Sequence, residues 1–120
     1  MSTMDNLKDA FAGESQANRK YLAFAQKADE EGFGQAAKLF RAAAAAETIH
    51  AHNHLKVMGG INSTKENIRE AIEGETHEYT KMYPEMIMEA EKEGDSQAAV
   101  RSFDLANRWR VSMQACIRKL

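Results

Sequence analysis

Glycine-containing breaks divide the chain into four long stretches with almost no helix-breaking residues. The breaks read EGFGQ at residues 31–35, GGINST at 59–64 and EGDSQ at 93–97. Only one of the 120 residues is proline, and the stretches between breaks are roughly 23 to 30 residues long, which is typical of long helices. No strand-like alternation interrupts them. The sequence therefore predicts four helices joined by short loops.

The residues at the breaks are suited to ending helices. Gly32 and Gly34 are predicted to end the first helix, Gly59 and Gly60 the second and Gly94 the third, because glycine readily adopts the left-handed backbone of a helix C-terminus. Pro84 lies inside the third stretch, and its missing N–H predicts a kink or local distortion there.

The starts of the helices carry capping residues. Ser63 followed by Glu66 predicts a capping box at the third helix. Asp95 is placed to cap the fourth helix and Thr3 to cap the first, since both side chains accept hydrogen bonds from free backbone N–H groups.

Each predicted helix has one apolar face at about 100° per residue. The first face contains Leu7, Phe11, Glu14, Asn18, Tyr21 and Ala25. The second contains Leu39, Ala43, Ala46, Glu47, His50, His54 and Val57. Four amphipathic helices with short loops favour an antiparallel four-helix bundle, which would be one all-α domain over residues 1–120. The bundle would close within one chain or by exchange of helices with a second chain.

Three of these faces carry a glutamate near the centre, at Glu14, Glu47 and Glu75. A single glutamate on such a face usually sits at its edge and reaches solvent. Burying three carboxylates costs several kcal/mol each unless a cation neutralises them. We therefore expect a cation between the helices.

The histidines of ETIHAHNHL, residues 47–55, do not form one cluster on a helix. His50 follows Glu47 by three residues, so both project to one point, as in the Glu-x-x-His unit of di-metal carboxylate bundles. His52 points about 200° from His50 and is expected in solvent. His54 is expected in a core or supporting position and His77 on the surface. Carboxylate oxygen and imidazole nitrogen suit iron or manganese, with zinc as an alternative.

Composition excludes several classes of protein. The net charge of −2 gives no electrostatic basis for binding nucleic acid. No apolar run reaches the length of a membrane span, and the N-terminus lacks a signal-peptide pattern. The single Cys116 forms no internal disulfide, which favours a reducing, cytoplasmic location.

Three segments closely resemble the di-iron domain of rubrerythrin. They read NLKDAFAGESQANRKYLAFAQKA, AKLFRAAAAAETIHAHNHL and AIEGETHEYTKMYPEM, and the resemblance runs from about residue 5 to residue 107. It implies a ferritin-like four-helix bundle, often a homodimer with exchanged helices. It also implies reduction of hydrogen peroxide to water at a non-haem di-iron centre.

Position by position, the resemblance implies five metal ligands: Glu14, Glu47, His50, Glu75 and Glu78. It implies that one iron exchanges Glu78 for His50 as its redox state changes. It further implies that Tyr21 and Tyr83 donate hydrogen bonds to ligand carboxylates. Simple core packing is the alternative for both tyrosines.

The fourth helix departs from the family pattern. The second Glu-x-x-His is expected at positions 110 and 113, which helical periodicity places on the inward face and where this chain has Arg110 and Met113. A single Cys116 cannot build the rubredoxin-type iron domain that usually follows, so we expect no such domain within these 120 residues. An external electron donor such as a rubredoxin-type protein is therefore expected.

A one-base reading-frame slip near codons 107–108 is our hypothesis for this departure at residues 108–120. Read one base out of frame, permitted codons for these residues spell V-E-x-V-H-A-x-L-Y, with Glu-x-x-His intact. The nucleotide sequence of the gene decides the hypothesis.

Two functions follow from these residues. The first is a rubrerythrin-like peroxide reductase, weakened by the altered fourth helix. The second is a non-catalytic bundle with one metal ion or little metal, in which the guanidinium of Arg110 neutralises the carboxylates. Alternatively, the long aliphatic part of the Arg110 side chain bends so that the guanidinium lies in solvent.

Overall fold

A computed structural model of the chain describes residues 1–119, apart from the side chains of residues 111–114, 116 and 117. Within this part the chain is helical, with α1 at Thr3–Glu30, α2 at Gly34–Val57, α3 at Thr64–His77, α4 at Tyr83–Glu93 and α5 at Leu105–Ile117. The π-helical segment Glu78–Met82 joins α3 to α4, and a second, Gln97–Asp104, leads into α5. Four long helices result, which confirms the predicted all-α class.

The chain forms two compact units, Met1–Asn62 and Ser63–Leu120. We call them the N-terminal hairpin, which contains α1 and α2, and the C-terminal hairpin, which contains the remaining helices. The single domain over residues 1–120 stays a prediction.

Helix α1 begins one residue earlier than predicted. The hydroxyl of Ser2 accepts a hydrogen bond from Asp5 N at 3.1 Å, and the Asp5 carboxylate accepts one from Ser2 N at 3.0 Å. The prediction of Thr3 as the cap is wrong because the acidic partner three residues later belongs to Ser2, whereas Thr3 would pair with Asn6.

The boundaries predicted at Ser63, Gly94 and Asp95 are confirmed, whereas Gly34 is the first residue of α2 and does not end the first helix. Ser63 and Glu66 form the predicted capping box, with Glu66 N donating to Ser63 Oγ at 3.3 Å and Ser63 N to the Glu66 carboxylate at 3.0 Å. Asp95 Oδ1 accepts from Ala98 N at 2.9 Å. Gly94 is left-handed at φ 76°, so it ends α4 at low cost.

The predicted distortion at Pro84 is a π-helical turn. Pro84 lies in the first turn of α4, directly after the segment Glu78–Met82. Proline lacks the N–H that an α-helix needs at this point, so the backbone departs from α geometry just before it.

The N-terminal hairpin packs through alanine. Ala25 and Ala28 of α1 meet Ala37 of α2 in a buried cluster, and α2 also buries Ala44 and Ala51.

The line Ala37, Ala44, Ala51 repeats every seven residues, so α2 presents one straight row to its partner. Leu39 and Val57, which helical periodicity predicts on the inward face, are 70% and 71% exposed. Their inward placement is wrong in this hairpin because α2 packs the neighbouring alanine line against α1.

The C-terminal hairpin buries Ala90 and Ala99 and packs the ring of Tyr83 6.1 Å from that of Phe103. Among the described residues, no helix combines the length and low charge needed to cross a lipid bilayer.

Candidate metal centre

Asn18 ties α1 to α2 next to the predicted ligands. Its side-chain amide donates to the carbonyl of Ala44 at 2.7 Å and to Thr48 Oγ1 at 2.8 Å. Thr48 in turn donates to Ala44 O at 3.2 Å. The sequence placed Asn18 on the inward face but did not reveal this role; a polar amide between Glu14 and Tyr21 was the available signal.

The hairpin brings together three of the five predicted ligands. Nδ1 of His50 lies 3.3 Å from Glu47 Oε2 and 3.6 Å from Glu14 Oε2. One ligand atom from each residue lies within 4.8 Å of the other two. The side chains of Glu14 and Glu47 are 31% and 19% exposed, and that of His50 is 54% exposed. The group therefore lies at the edge of the hairpin, open on one side.

This group fits a metal ion by its donor chemistry. Two carboxylate oxygens and one imidazole nitrogen suit iron, manganese or zinc. Their spacing allows one ion to reach all three atoms. Glu47 and His50 are three residues apart on α2 and Glu14 comes from α1, so the helix packing sets the spacing.

The remaining histidines lie as predicted where the structure gives their exposure. His52 and His77 are exposed, and His54 is half-buried. The alternating pattern of ETIHAHNHL therefore contributes only His50 to the group.

The other two predicted ligands, Glu75 and Glu78, meet an arginine in the C-terminal hairpin. Nε of Arg110 lies 2.8 Å from Glu75 Oε2 and also contacts Glu78 Oε2. Arg110 therefore turns inward, as one predicted arrangement required, and does not bend into solvent. Met113 and Cys116 have side chains outside the described residues.

Neighbouring side chains stabilise the positive charge of Arg110. Burial alone would lower the pKa of its guanidinium, but the Glu78 carboxylate, with Tyr83 and Glu75, raises that pKa above its ordinary value. The guanidinium carbon also lies 4.7 Å from the centre of the Tyr83 ring, a cation–π contact.

The two predicted tyrosines pack against aromatic rings. The ring of Tyr21 lies 6.1 Å from that of Phe40 and 6.4 Å from that of Phe24, and the ring of Tyr83 contacts both Phe103 and Arg110. Hydrogen bonds from their hydroxyls to ligand carboxylates stay a prediction.

Sequence comparison with known proteins places the chain in a family. The chain is similar to nigerythrin of Nitratidesulfovibrio vulgaris, with 39% identity over 81% of this chain and 55% of that protein. It is similar to rubrerythrin of Porphyromonas gingivalis, with 38% identity over 81% and 55%. Rubrerythrin of Nitratidesulfovibrio vulgaris is 36% identical over 81% and 58%. The chain thus spans somewhat more than half the length of these relatives.

The sequence profile of the Rubrerythrin family matches residues 5–108. This span includes all five predicted ligands and ends two residues before Arg110. It agrees with the predicted ferritin-like helical fold. The chain belongs to the rubrerythrin family.

Proposed function

We propose that this chain is a non-haem iron protein that reduces hydrogen peroxide to water in defence against oxidative stress. The observation that carries the proposal is the convergence of Glu14, Glu47 and His50 on one point, in a chain that belongs to a family implying non-haem iron. The reaction consumes two electrons and two protons per peroxide. An external donor, such as a rubredoxin-type protein, would supply the electrons.

The chain's own residues hold and tune the proposed centre. Glu14 and Glu47 would bind the ion through Oε2, and His50 through Nδ1, which already faces both oxygens. Bound iron would supply redox change and polarise the peroxide oxygens. The exposed side of His50 leaves a path by which a small substrate can reach the ion.

Replacing His50 with Gln tests the iron site. We expect ferrous iron affinity to fall by at least about tenfold because one ligand of the group is lost, and peroxidase rate to fall with it. Iron per chain after anaerobic loading and peroxide consumption are the measurements. His52→Gln is the matched control, since His52 is two residues away on the exposed side and should leave both unchanged. Equal iron binding in His50→Gln and the unchanged protein would exclude this group as the centre.

A second candidate is a non-catalytic bundle with one metal ion or little metal. The ion pairs of Arg110 with Glu75 and Glu78 favour it, because the guanidinium already supplies a positive charge to these carboxylates.

Peroxide consumption by the unchanged, iron-loaded chain separates the two candidates, and the double change Arg110→Glu with Met113→His tests whether the altered fourth helix limits iron binding. The double change restores the family's fourth-helix Glu-x-x-His, so bound iron and peroxidase rate should both rise. If neither rises, the fourth helix has a different register from the one proposed. Arg108→Gln with Met113→His is the control, since Arg108 is 79% exposed and pairs with Asp104.

A further inference from the structure

The carboxylates of the C-terminal hairpin converge on a single nitrogen atom. Glu75 and Glu78 each direct Oε2 to Nε of Arg110. The three side chains are 29%, 31% and 21% exposed, so the group is shielded without being sealed. One atom thus occupies the point from which a cation reaches both carboxylates.

This contact is an ion pair that lacks good hydrogen-bond geometry. Nε of Arg110 and Oε2 of both glutamates are buried atoms without a hydrogen-bond partner. One N–H cannot point along its bond at two oxygens at once, so charge attraction replaces directed bonding. A spherical ion has no such directional restriction.

The charges of the group are not balanced by Arg110 alone. Two carboxylates face one guanidinium, which leaves a net negative charge. A divalent ion at the same point would neutralise both carboxylates, and it would have to displace the guanidinium because both cations claim the same oxygens.

We propose that Arg110 is an internal counter-ion that competes with metal for Glu75 and Glu78, so that this chain binds one divalent ion, in the N-terminal hairpin only. The inference rests on the proposed iron site at Glu14, Glu47 and His50. Arg110 partly neutralises the second pair of carboxylates, so that the C-terminal hairpin folds without metal. Removal of its charge opens this pair to a divalent ion.

Equilibrium dialysis of the full-length chain against Mn²⁺ alone, with elemental analysis, tests the competition. We expect about one Mn²⁺ per unchanged chain and about two in Arg110→Gln, where the amide oxygen adds a neutral ligand. Arg110→Glu should reach the higher value at lower free Mn²⁺, because it adds a third carboxylate. Arg108→Gln is the matched control and should behave as the unchanged chain.

Further variants separate failure of this inference from failure of the proposed function. The double change Glu47→Ala with His50→Ala should bind almost no Mn²⁺, because only one carboxylate of the group in the N-terminal hairpin remains. The same chain with Arg110→Gln added should bind about one ion, at the released carboxylates. No loss in Glu47→Ala with His50→Ala would contradict the site in the N-terminal hairpin while leaving the effect of Arg110→Gln readable.

Three results would overturn the competition: about two ions in the unchanged chain, no gain in either Arg110→Gln or Arg110→Glu, or an equal gain in Arg110→Lys, which keeps the charge. Circular dichroism with and without Mn²⁺ tests whether a variant is folded. Arg110→Lys should stay helical without metal, and a variant that regains helix on adding Mn²⁺ supports the exchange of one cation for the other.

Discussion

At the scale of single residues, Asn18 decides how α1 and α2 meet beside the candidate ligands. Its amide makes two hydrogen bonds to α2 from a partly buried position. Both acceptors, Ala44 O and Thr48 Oγ1, lie on the helix that carries Glu47 and His50. We therefore expect a change at Asn18 to affect both stability and the spacing of the ligands.

Asn18→Ala should lower the free energy of unfolding by about 1–3 kcal/mol because two partly buried hydrogen bonds are lost, each contributing about 0.5–1.5 kcal/mol. Urea denaturation followed by circular dichroism measures it. Asn53→Ala, on the exposed side of α2, is the control and should change stability little. A loss no larger than that of Asn53→Ala would show that water replaces the Asn18 bonds freely.

Residue identity alone predicted much of the candidate site. Glu47 and His50 follow from helical spacing, and the inward position of Arg110 follows from the same periodicity. The arrangement of Arg110 did not follow, because a long flexible stem permits both an ion pair and a solvent position. The hydrogen bonds of Asn18 could not be predicted either, since they depend on the exact offset of two helices.

At the scale of helices, the capping boxes connect helix stability to acidity. The Ser63 hydroxyl and backbone N–H lower the pKa of the Glu66 carboxylate below its ordinary value. A carboxylate with a lowered pKa in the folded state stabilises the fold above its ordinary pKa. That contribution is lost as pH falls through the lowered pKa.

Ser63→Ala should therefore weaken the fold at neutral pH and make stability fall less steeply in acid. The measurement is thermal unfolding at a series of pH values from neutral to below the ordinary pKa of glutamate, 4.5. Ser96→Ala is the control, because Ser96 also precedes a helix but makes no side-chain capping bond. An unchanged pH profile in Ser63→Ala would mean that Glu66 finds another donor.

Helix boundaries were predictable because glycine, serine and aspartate act locally. The π-helical turns were predictable only in part. Pro84 indicated a distortion before α4, whereas the segment Gln97–Asp104 has no proline, and nothing in its sequence marks it. The prediction of the inward residues of α2 is wrong at Leu39 and Val57, because these larger apolar residues lie beside the alanines that pack against α1.

At the scale of the whole molecule, the buried apolar residues of the described chain are all alanine. Larger apolar side chains of the N-terminal hairpin are more than 40% exposed, namely Leu22, Phe24, Leu39, Ile49 and Val57. Burying such side chains contributes about 1.5–3 kcal/mol each. Covering them would add strongly to a core made of small residues.

We therefore expect the proposed homodimer to form and its stability to depend on protein concentration. Sedimentation velocity should show a dimer, and the thermal midpoint should rise over a roughly 100-fold increase in concentration. Leu39→Lys should shift the equilibrium toward monomer, with Lys38→Gln, a change at a neighbouring exposed position, as the control. A monomer at every concentration would contradict the expected dimer.

The cytoplasmic location of the protein stays a prediction.

The row Ala37, Ala44, Ala51 has a consequence for which ions the chain can accept. Helices that meet through methyl groups lie close together, and Glu14 and Glu47 stand on opposite sides of that contact. A bulkier side chain in the row would push the helices apart and widen the gap between the two carboxylates. The volume of three alanines therefore sets the distance between Glu14 and Glu47, and with it the size of the ion that the pair would hold.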